Sequence, residues 1–312
     1  MKITNKYNLD SAYIRALEGG HHVRTGDLSV TTLLKPVQQI LLMERYKELL
    51  VIDAADAMWM FLGTIGHSVM ERFAAEGSIV ERLLAVLINQ DGSFAPIEVK
   101  AAQTLVAQPH EGTVVSCKVD HYAGGEIADW KFLKVWGHIF GRTDEWVKQL
   151  SMYRVALDVH GIKIDRGHIT EFLHDHVQGK TAQHDYPDRG VYKTPITMWP
   201  IEKTREWMLA KIHTYQVNRE LSDDELQPCS AEERWARPDK FAVYKNKTVK
   251  KAARLLDSRL AAEQYIIDHC LLKGIIQHRP GLSVRCDKYC LVSDFCAQHK
   301  AELAANTTKE EE

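Results

Sequence analysis

The segment KVDHYAGGEIADWKF holds an arrangement of side chains able to do metal chemistry. Asp129 and Lys131 stand two apart, and on a strand such residues share a face while Trp130 between them points to the other. The pair sets a carboxylate, which can ligate a metal, beside a cation. That cation can orient or activate a water, or stabilise charge on a phosphate oxygen. Asp120 lies on the preceding strand, across Gly124 and Gly125, and such a glycine pair is a hairpin signal. The hairpin brings Asp120 towards Asp129, and two close carboxylates repel unless a cation lies between them. Mg²⁺ takes oxygen ligands and keeps several waters, and a water so bound is a better nucleophile. Taken alone, an Asp-X-Lys strand is more often a solvated face with a weak ion pair.

A second cluster is made of sulfur. Three of the six cysteines, Cys286, Cys290 and Cys296, fall within eleven residues. Thiolates so spaced can wrap a soft metal or a cluster, which needs four ligands. Cys229, ahead of an expected turn, is the choice for the fourth. Structural zinc accepts four cysteines, or three with a histidine such as His299, and spacing alone does not separate zinc from iron–sulfur. Cys117 and Cys270 read as buried structural thiols.

These residues need elements to hold them. Residues 28–50 read as a cap, with Ser29, Thr31 and Thr32 as capping candidates, followed by a helix with Pro36 in its first turn. Residues 53–88 show helical apolar spacing through Trp59, Leu62, Val69 and Phe73. Residues 94–135 read as three strands, 143–160 as a helix, and 162–176 as a further strand. A long polar loop is expected over 178–198, then helices over about 199–220 and 248–273. The expected class is α/β, with a central mixed β-sheet flanked by helices. The expected division is 1–176 for N-terminal helices and core, 177–306 for a helical and loop extension carrying the cysteines, and 307–312 for an acidic disordered tail.

Length and composition bound the reading. The chain has 312 residues, 45% hydrophobic and 26% charged, which is ordinary for a globular protein with a sizeable core. No apolar run is long enough to span a membrane, and MKITNKYNLD lacks the apolar stretch of a secretory signal. A cytoplasmic location is therefore expected, where structural disulfides are disfavoured and clustered cysteines read as metal ligands. The net charge of −2 argues against a chain that grips nucleic acid through its total charge. It leaves room for a local basic groove.

With these residues in view, KVDHY…EIADWKF resembles motifs II and III of the RecB/AddB-type PD-(D/E)XK nucleases, which have a restriction-endonuclease-like core. Upstream, GTIGHSVMERF resembles the family's helical Gly-X-X-X-His motif. Downstream, EWVKQLSMYRVAL resembles its Gln-X-X-X-Tyr motif, and Gln149 and Tyr153 share one helix face. The resemblance runs from about residue 28 to 160 and extends to the cysteine segment. The whole chain resembles the phage-type recombination exonucleases of this superfamily. The resemblance implies that His67, Asp120 and Asp129, with the Trp130 carbonyl, hold Mg²⁺ or Mn²⁺. It implies that Lys131 aligns the attacking water or neutralises charge, and that Gln149 and Tyr153 support the site near the nucleic acid. Glu71 is expected to be exposed and Glu126 to face away from Asp129.

For the cysteines the resemblance implies a [4Fe–4S] cluster, with a structural zinc as the alternative. Two departures stand out. The first local gap has three residues rather than two, and KPVQQI has no cysteine where many relatives place the distant one. The implied activity is metal-dependent hydrolysis of DNA by an exonuclease in recombination or repair. Two rivals remain: a catalytically silent module that binds nucleic acid or a partner, and a nuclease subunit of a larger complex with a helicase, recombinase or integrase. Ring-forming relatives make an oligomer an open expectation, and no membrane partner is expected.

Overall fold

A computed structural model describes the backbone of residues 2–19, 24–141 and 143–311, with side chains through residue 305. The chain divides into two units. The first comprises Met1–Lys35 and Val51–Gln216, and the second Pro36–Leu50 and Val217–Glu312.

The first unit is built on one mixed sheet. Its main strands are β1 (Ile79–Ile88), β2 (Phe94–Ile97), β3 (Thr113–Ala123), β4 (Glu126–Leu133), β5 (Arg166–Leu173) and β6 (Val191–Ile196). They lie in the order β2-β1-β3-β4-β5-β6, and the short strand Leu28–Ser29 adds in parallel to β3. All pairs along the path are antiparallel except β4 with β5. That parallel step needs a crossover. It contains a short helix, α3 (Val135–Phe140), and α4 (Thr143–Val159). The other helices used below are α1 (Met58–Arg72), α2 (Val99–Leu105) and α5 (Ile201–Arg219). The helix α4 buries Trp146, Leu150, Met152, Val155 and Leu157, and with them the polar Gln149 and Ser151. A helix buried nearly all round lies inside the fold rather than on its skin.

A central mixed sheet flanked by helices is thus present, as expected from the sequence. Several elements differ from expectation. The helical reading of 53–88 holds only for α1, and the rest of that stretch is β1. A short apolar run such as LLAVLI, after Glu81 and Arg82, does not separate a buried strand from a buried helix by periodicity. The first of the three expected strands is shortened to β2 and followed by α2. The expected loop 178–198 contains β6, which pairs along β5. The boundary expected at residue 176 therefore falls inside the first unit.

The second unit holds the helix Val37–Arg45, which buries Val37, Gln38, Gln39, Ile40, Leu41 and Leu42. Its three-stranded antiparallel sheet has Lys240–Tyr244 in the middle, flanked by Arg254–Leu256 and Ile275–Arg279. The helix expected over 248–273 is confined to Arg259–Asp268, capped by Ser258. The final helix runs Ala297–Glu311, so 307–311, expected to be disordered, are helical, and Glu312 lies outside the described residues. Among the described residues no helix is long and apolar enough to cross a membrane.

Candidate metal and cysteine centres

The hairpin of β3 and β4 forms as the glycines require. Gly124 and Gly125 both take positive φ, +55° and +79°, the backbone that a two-residue turn matching strand twist demands. Its ladder pairs Ala123 with Glu126, Tyr122 with Ile127 and His121 with Ala128, then stops. Continuing that register puts Asp120 opposite Asp129, where the two strands part. In place of the next ladder bond, the Trp130 N–H donates to Asp120 Oδ2 at 2.8 Å. Beyond this point β4 is paired on its other side, to β5 through Leu133 with Leu173. The parting leaves the two carboxylates at the mouth of a split in the sheet.

The helix α1 carries His67. Its Nδ1 lies 2.8 Å from Glu81 Oε1 and 3.7 Å from Asp120 Oδ2. The helix approaches β4 so closely at Gly66 that a Cβ there would fall 1.9 Å from Cζ of Phe132. This is the glycine the packing requires. Gly63, the glycine of the Gly-X-X-X-His pattern, has open space where its Cβ would be.

Glu81 is the residue that sequence reasoning missed. It sits on β1 opposite Asp120, between the pairs Val80 with His121 and Arg82 with Val119. Its φ is +49°, a conformation that costs a non-glycine residue about 1–3 kcal/mol. The twist turns its carboxylate to His67 and to the Lys118 ammonium. His67, Glu81 and Asp120 each offer a ligand atom, and these atoms lie within 4.8 Å of one another. Asp129, expected in this trio, is not one of the three.

Asp129 is instead held by α4. Gln149 Nε2 donates to Asp129 Oδ1 at 2.6 Å and to the Tyr153 hydroxyl at 2.9 Å, and Lys131 Nζ donates to Gln149 Oε1 at 3.0 Å. The reverse amide orientation would set oxygen against carboxylate and nitrogen against ammonium, so the network has one sense. Lys131 Nζ also lies 2.6 Å from Asp129 Oδ2, yet that buried oxygen accepts no well-aligned hydrogen bond. The expected Gln149 and Tyr153 thus meet the expected Asp129 and Lys131. Glu71 is exposed, and Glu126 turns to Lys193 at 3.0 Å, both as expected.

The electrostatics follow from crowding. Burial, then the Asp129 charge, pushes the Asp120 carboxyl up to about 7, with His67, the Trp130 N–H and Lys131 opposing. Burial pulls the His67 imidazole down, but the Glu81 hydrogen bond and the charges of Asp120, Glu81 and Asp129 outweigh it and hold it above its ordinary value. Burial likewise opposes the Glu81 carboxylate, and His67 and Lys118 more than offset it, holding it low. One imidazole and three carboxylates brought together in this way are a donor set suited to a divalent ion. A cleft of about 610 Å³ opens on Glu81 and Lys118, lined also by Ser29, Thr31, Thr32 and Tyr153.

None of the six cysteines is in a disulfide, and all but Cys117 belong to the second unit. Gln298, two residues past Cys296, accepts from the Cys229 N–H at 2.9 Å and donates to the Cys229 carbonyl at 3.0 Å. That clamp holds Cys229 beside the trio. Burial, then Glu233, then Cys296, Cys286 and Cys290, pushes the Cys229 thiol up to about 12. Burial and the Cys290 and Cys296 charges push Cys286 up to about 11. The four chosen cysteines therefore lie within electrostatic reach of one another. Cys229 Sγ also lies 3.2 Å from Gln38 Oε1, in the KPVQQI segment, and Phe295 stacks on Tyr46 at 4.1 Å. His299 turns towards Asp287, 3.9 Å away. Cys117 is buried on β3 as expected, whereas Cys270 is exposed, at φ +49° just past the helix Arg259–Asp268.

No protein-family model matches the sequence, and no curated protein matches it. A solved structure described as "Crystal structure of SSO0001" is similar over 64% of this chain and 83% of that one, at 14% identity and a TM-score of 0.40, a likeness too distant to assign a family.

Proposed function

We propose that this chain is a Mg²⁺- or Mn²⁺-dependent DNA exonuclease with a PD-(D/E)XK core of the RecB/AddB type and a C-terminal [4Fe–4S] cluster. The observation that carries the reading is the meeting of His67, Glu81 and Asp120 beside the Asp129–Lys131 pair, at the point where β3 and β4 part. The buried Asp129 oxygen without an aligned donor fits a site that takes a cation. His67, Glu81, Asp120 and Asp129 would hold the ion. When bound, such an ion makes its water a better nucleophile and offsets charge on a phosphate oxygen.

The rest falls to the chain's own side chains. Lys131, about a quarter exposed, reaches from the buried pair towards solvent, where a phosphate oxygen or an attacking water can meet its ammonium. Gln149 fixes that ammonium and the Asp129 carboxylate in one geometry, and Tyr153 fixes Gln149. DNA is preferred to RNA through the sequence resemblance.

The gathering of Cys229 with Cys286, Cys290 and Cys296 supports a four-thiolate centre. A tetrahedral zinc with bonds near 2.3 Å needs its sulfurs about 3.8 Å apart. An iron–sulfur unit spans a wider set of sulfurs, and it is preferred to zinc here through the sequence resemblance. Iron and sulfide analysis of anaerobically purified protein tests this, and stoichiometric zinc without iron would overturn it.

The activity is tested with end-labelled single- and double-stranded DNA, with Mg²⁺ or Mn²⁺, beside an Asp129→Ala control. Metal-dependent release lost in the control supports the nuclease and shows its polarity. No release from folded, metal-loaded protein would favour the silent binding module or the partner-dependent subunit.

A further inference from the structure

The strand that carries Asp129 and Lys131 runs directly into α3, and α3 presents two large rings to solvent. Trp136 is 63% exposed and Phe140 75%. Their rings are nearly parallel, 5.3 Å between centroids and 10° between planes. Two large rings stacked on each other one helical turn apart bury little in the fold, and a paired exposed aromatic surface of this kind is suited to covering by a ligand.

The neighbouring side chains say what kind. His138, on the same helix, stacks on Tyr192 at 4.2 Å, and the Arg189 guanidinium lies 4.7 Å over the other partner of that stack, Tyr192. His138 is tethered through Nδ1 to the buried Glu171 at 2.9 Å, and Glu171 is also fixed by the Thr194 hydroxyl. Glu171 stands in register with Lys131 across the β4–β5 ladder, which ties this patch to the strand of the acidic site. Lys134 is exposed at the start of the helix. Asp188 holds the Tyr192 hydroxyl and Asp175 caps the Val135 N–H, so the acids here are engaged in local bonds. Aromatic rings interleaved with cations are the surface on which unpaired bases stack while their phosphates meet positive charge. From Lys131 to Trp136 the chain reaches about 17 Å at most, or about five nucleotides of a stacked strand.

We infer that the stacked Trp136 and Phe140 form a platform for the unpaired bases of a single-stranded polynucleotide leading to the acidic site, with Lys134 and the Arg189 side chain beside α3 as the cations its phosphates meet. The substrate end is therefore held as a single strand. The inference rests on the nuclease reading only for where the strand leads, and its binding claim stands separately.

The test measures binding of a fluorescein-labelled oligo(dT) and of an abasic oligomer of equal length to the full chain in EDTA, where no metal-dependent cutting occurs. Wild-type protein is expected to prefer the oligomer with bases. Trp136→Ala and Phe140→Ala, both at exposed positions, should each weaken oligo(dT) binding about ten-fold or more and erase the preference over the abasic oligomer. Trp136→Tyr should restore most of it. Unchanged oligo(dT) binding in both alanine variants would overturn the platform, with metal-dependent cleavage lost in Asp129→Ala still free to support the nuclease. Base-dependent binding without any cleavage would keep the platform and sink the nuclease. A wild-type oligomer that dissociates in Trp136→Ala, with no base preference, would make the patch a protein interface and overturn the inference.

Discussion

Replacing Gln149 with methionine keeps the side chain's length but removes three hydrogen bonds at once, to Asp129, to Tyr153 and from Lys131. The three do not weigh equally. Lys131 is about a quarter exposed, so its ammonium regains water and that loss is small. Asp129 and Tyr153 are 1% and 3% exposed and regain nothing. A hydrogen bond to a buried charge is worth about 1.5–3 kcal/mol and a neutral one about 1 kcal/mol, which sums to about 2.5–4 kcal/mol. At about 2–4 °C per kcal/mol for a unit of this size, the melting temperature should fall by roughly 10 °C. Thermal melting of the metal-free protein in EDTA reads this directly, and phosphodiester cleavage should fall with it. A melting temperature within about 2 °C of wild type, under about 1 kcal/mol, would refute the claim that this amide is what satisfies Asp129.

Four further outcomes follow from the same geometry. Glu81→Gln should weaken Mn²⁺ binding at least about ten-fold, about 1.4 kcal/mol, in calorimetric titration, while Glu71→Gln on the exposed side of α1 leaves it unchanged; equal affinities would remove Glu81 from the ligand set. Gly66→Ala should destabilise by about 1–3 kcal/mol through its clash with Phe132, whereas Gly63→Ala, with open space, should gain up to about 1 kcal/mol of helix propensity; urea unfolding compares them. Cys290→Ser should lose bound metal and Cys270→Ser should keep it, as read by iron and zinc analysis. For pH, Asp120 has its folded value raised to about 7 from an ordinary 3.8, so its neutral form favours folding. That contribution is present below pH 3.8 and is lost as pH rises through 7. Metal-free Asp120→Asn should therefore gain on wild type in melts from pH 4 to 8, and a constant difference would contradict the burial of this carboxyl.

Some of this site was legible from residue order alone. Two glycines gave away the hairpin, strand alternation paired Asp129 with Lys131, and four-residue spacing set Gln149 with Tyr153. Glu81 was illegible for two reasons. Its strand is largely apolar apart from Glu81 and Arg82, which reads equally as helix, and its carboxylate reaches the site only through a left-handed backbone that the residue type does not announce. The split of β3 from β4 was likewise hidden, because it depends on a peptide N–H choosing the Asp120 side chain over a ladder partner. Among the cysteines, spacing found the trio, and the hydrogen bonds of Gln298 and Arg234 to the Cys229 backbone, which spacing does not announce, hold Cys229 near it. Cys270 was misread because the helix before it ends early and leaves the thiol outside.

The second unit takes its first helix from Pro36–Leu50 and everything else from Val217 onward. During synthesis, the apolar face of Val37–Arg45 leaves the ribosome before any of its packing partners in that unit has been made. About 170 residues separate the two pieces, so at about 5–20 residues per second the face waits for roughly 10–30 s. Through that interval Ile40, Leu41 and Leu42, buried in the finished protein, need shelter from a chaperone or from the nascent chain itself. A chain stopped before Val217 would leave Ile40, Leu41 and Leu42 without the rest of the unit in which they are buried.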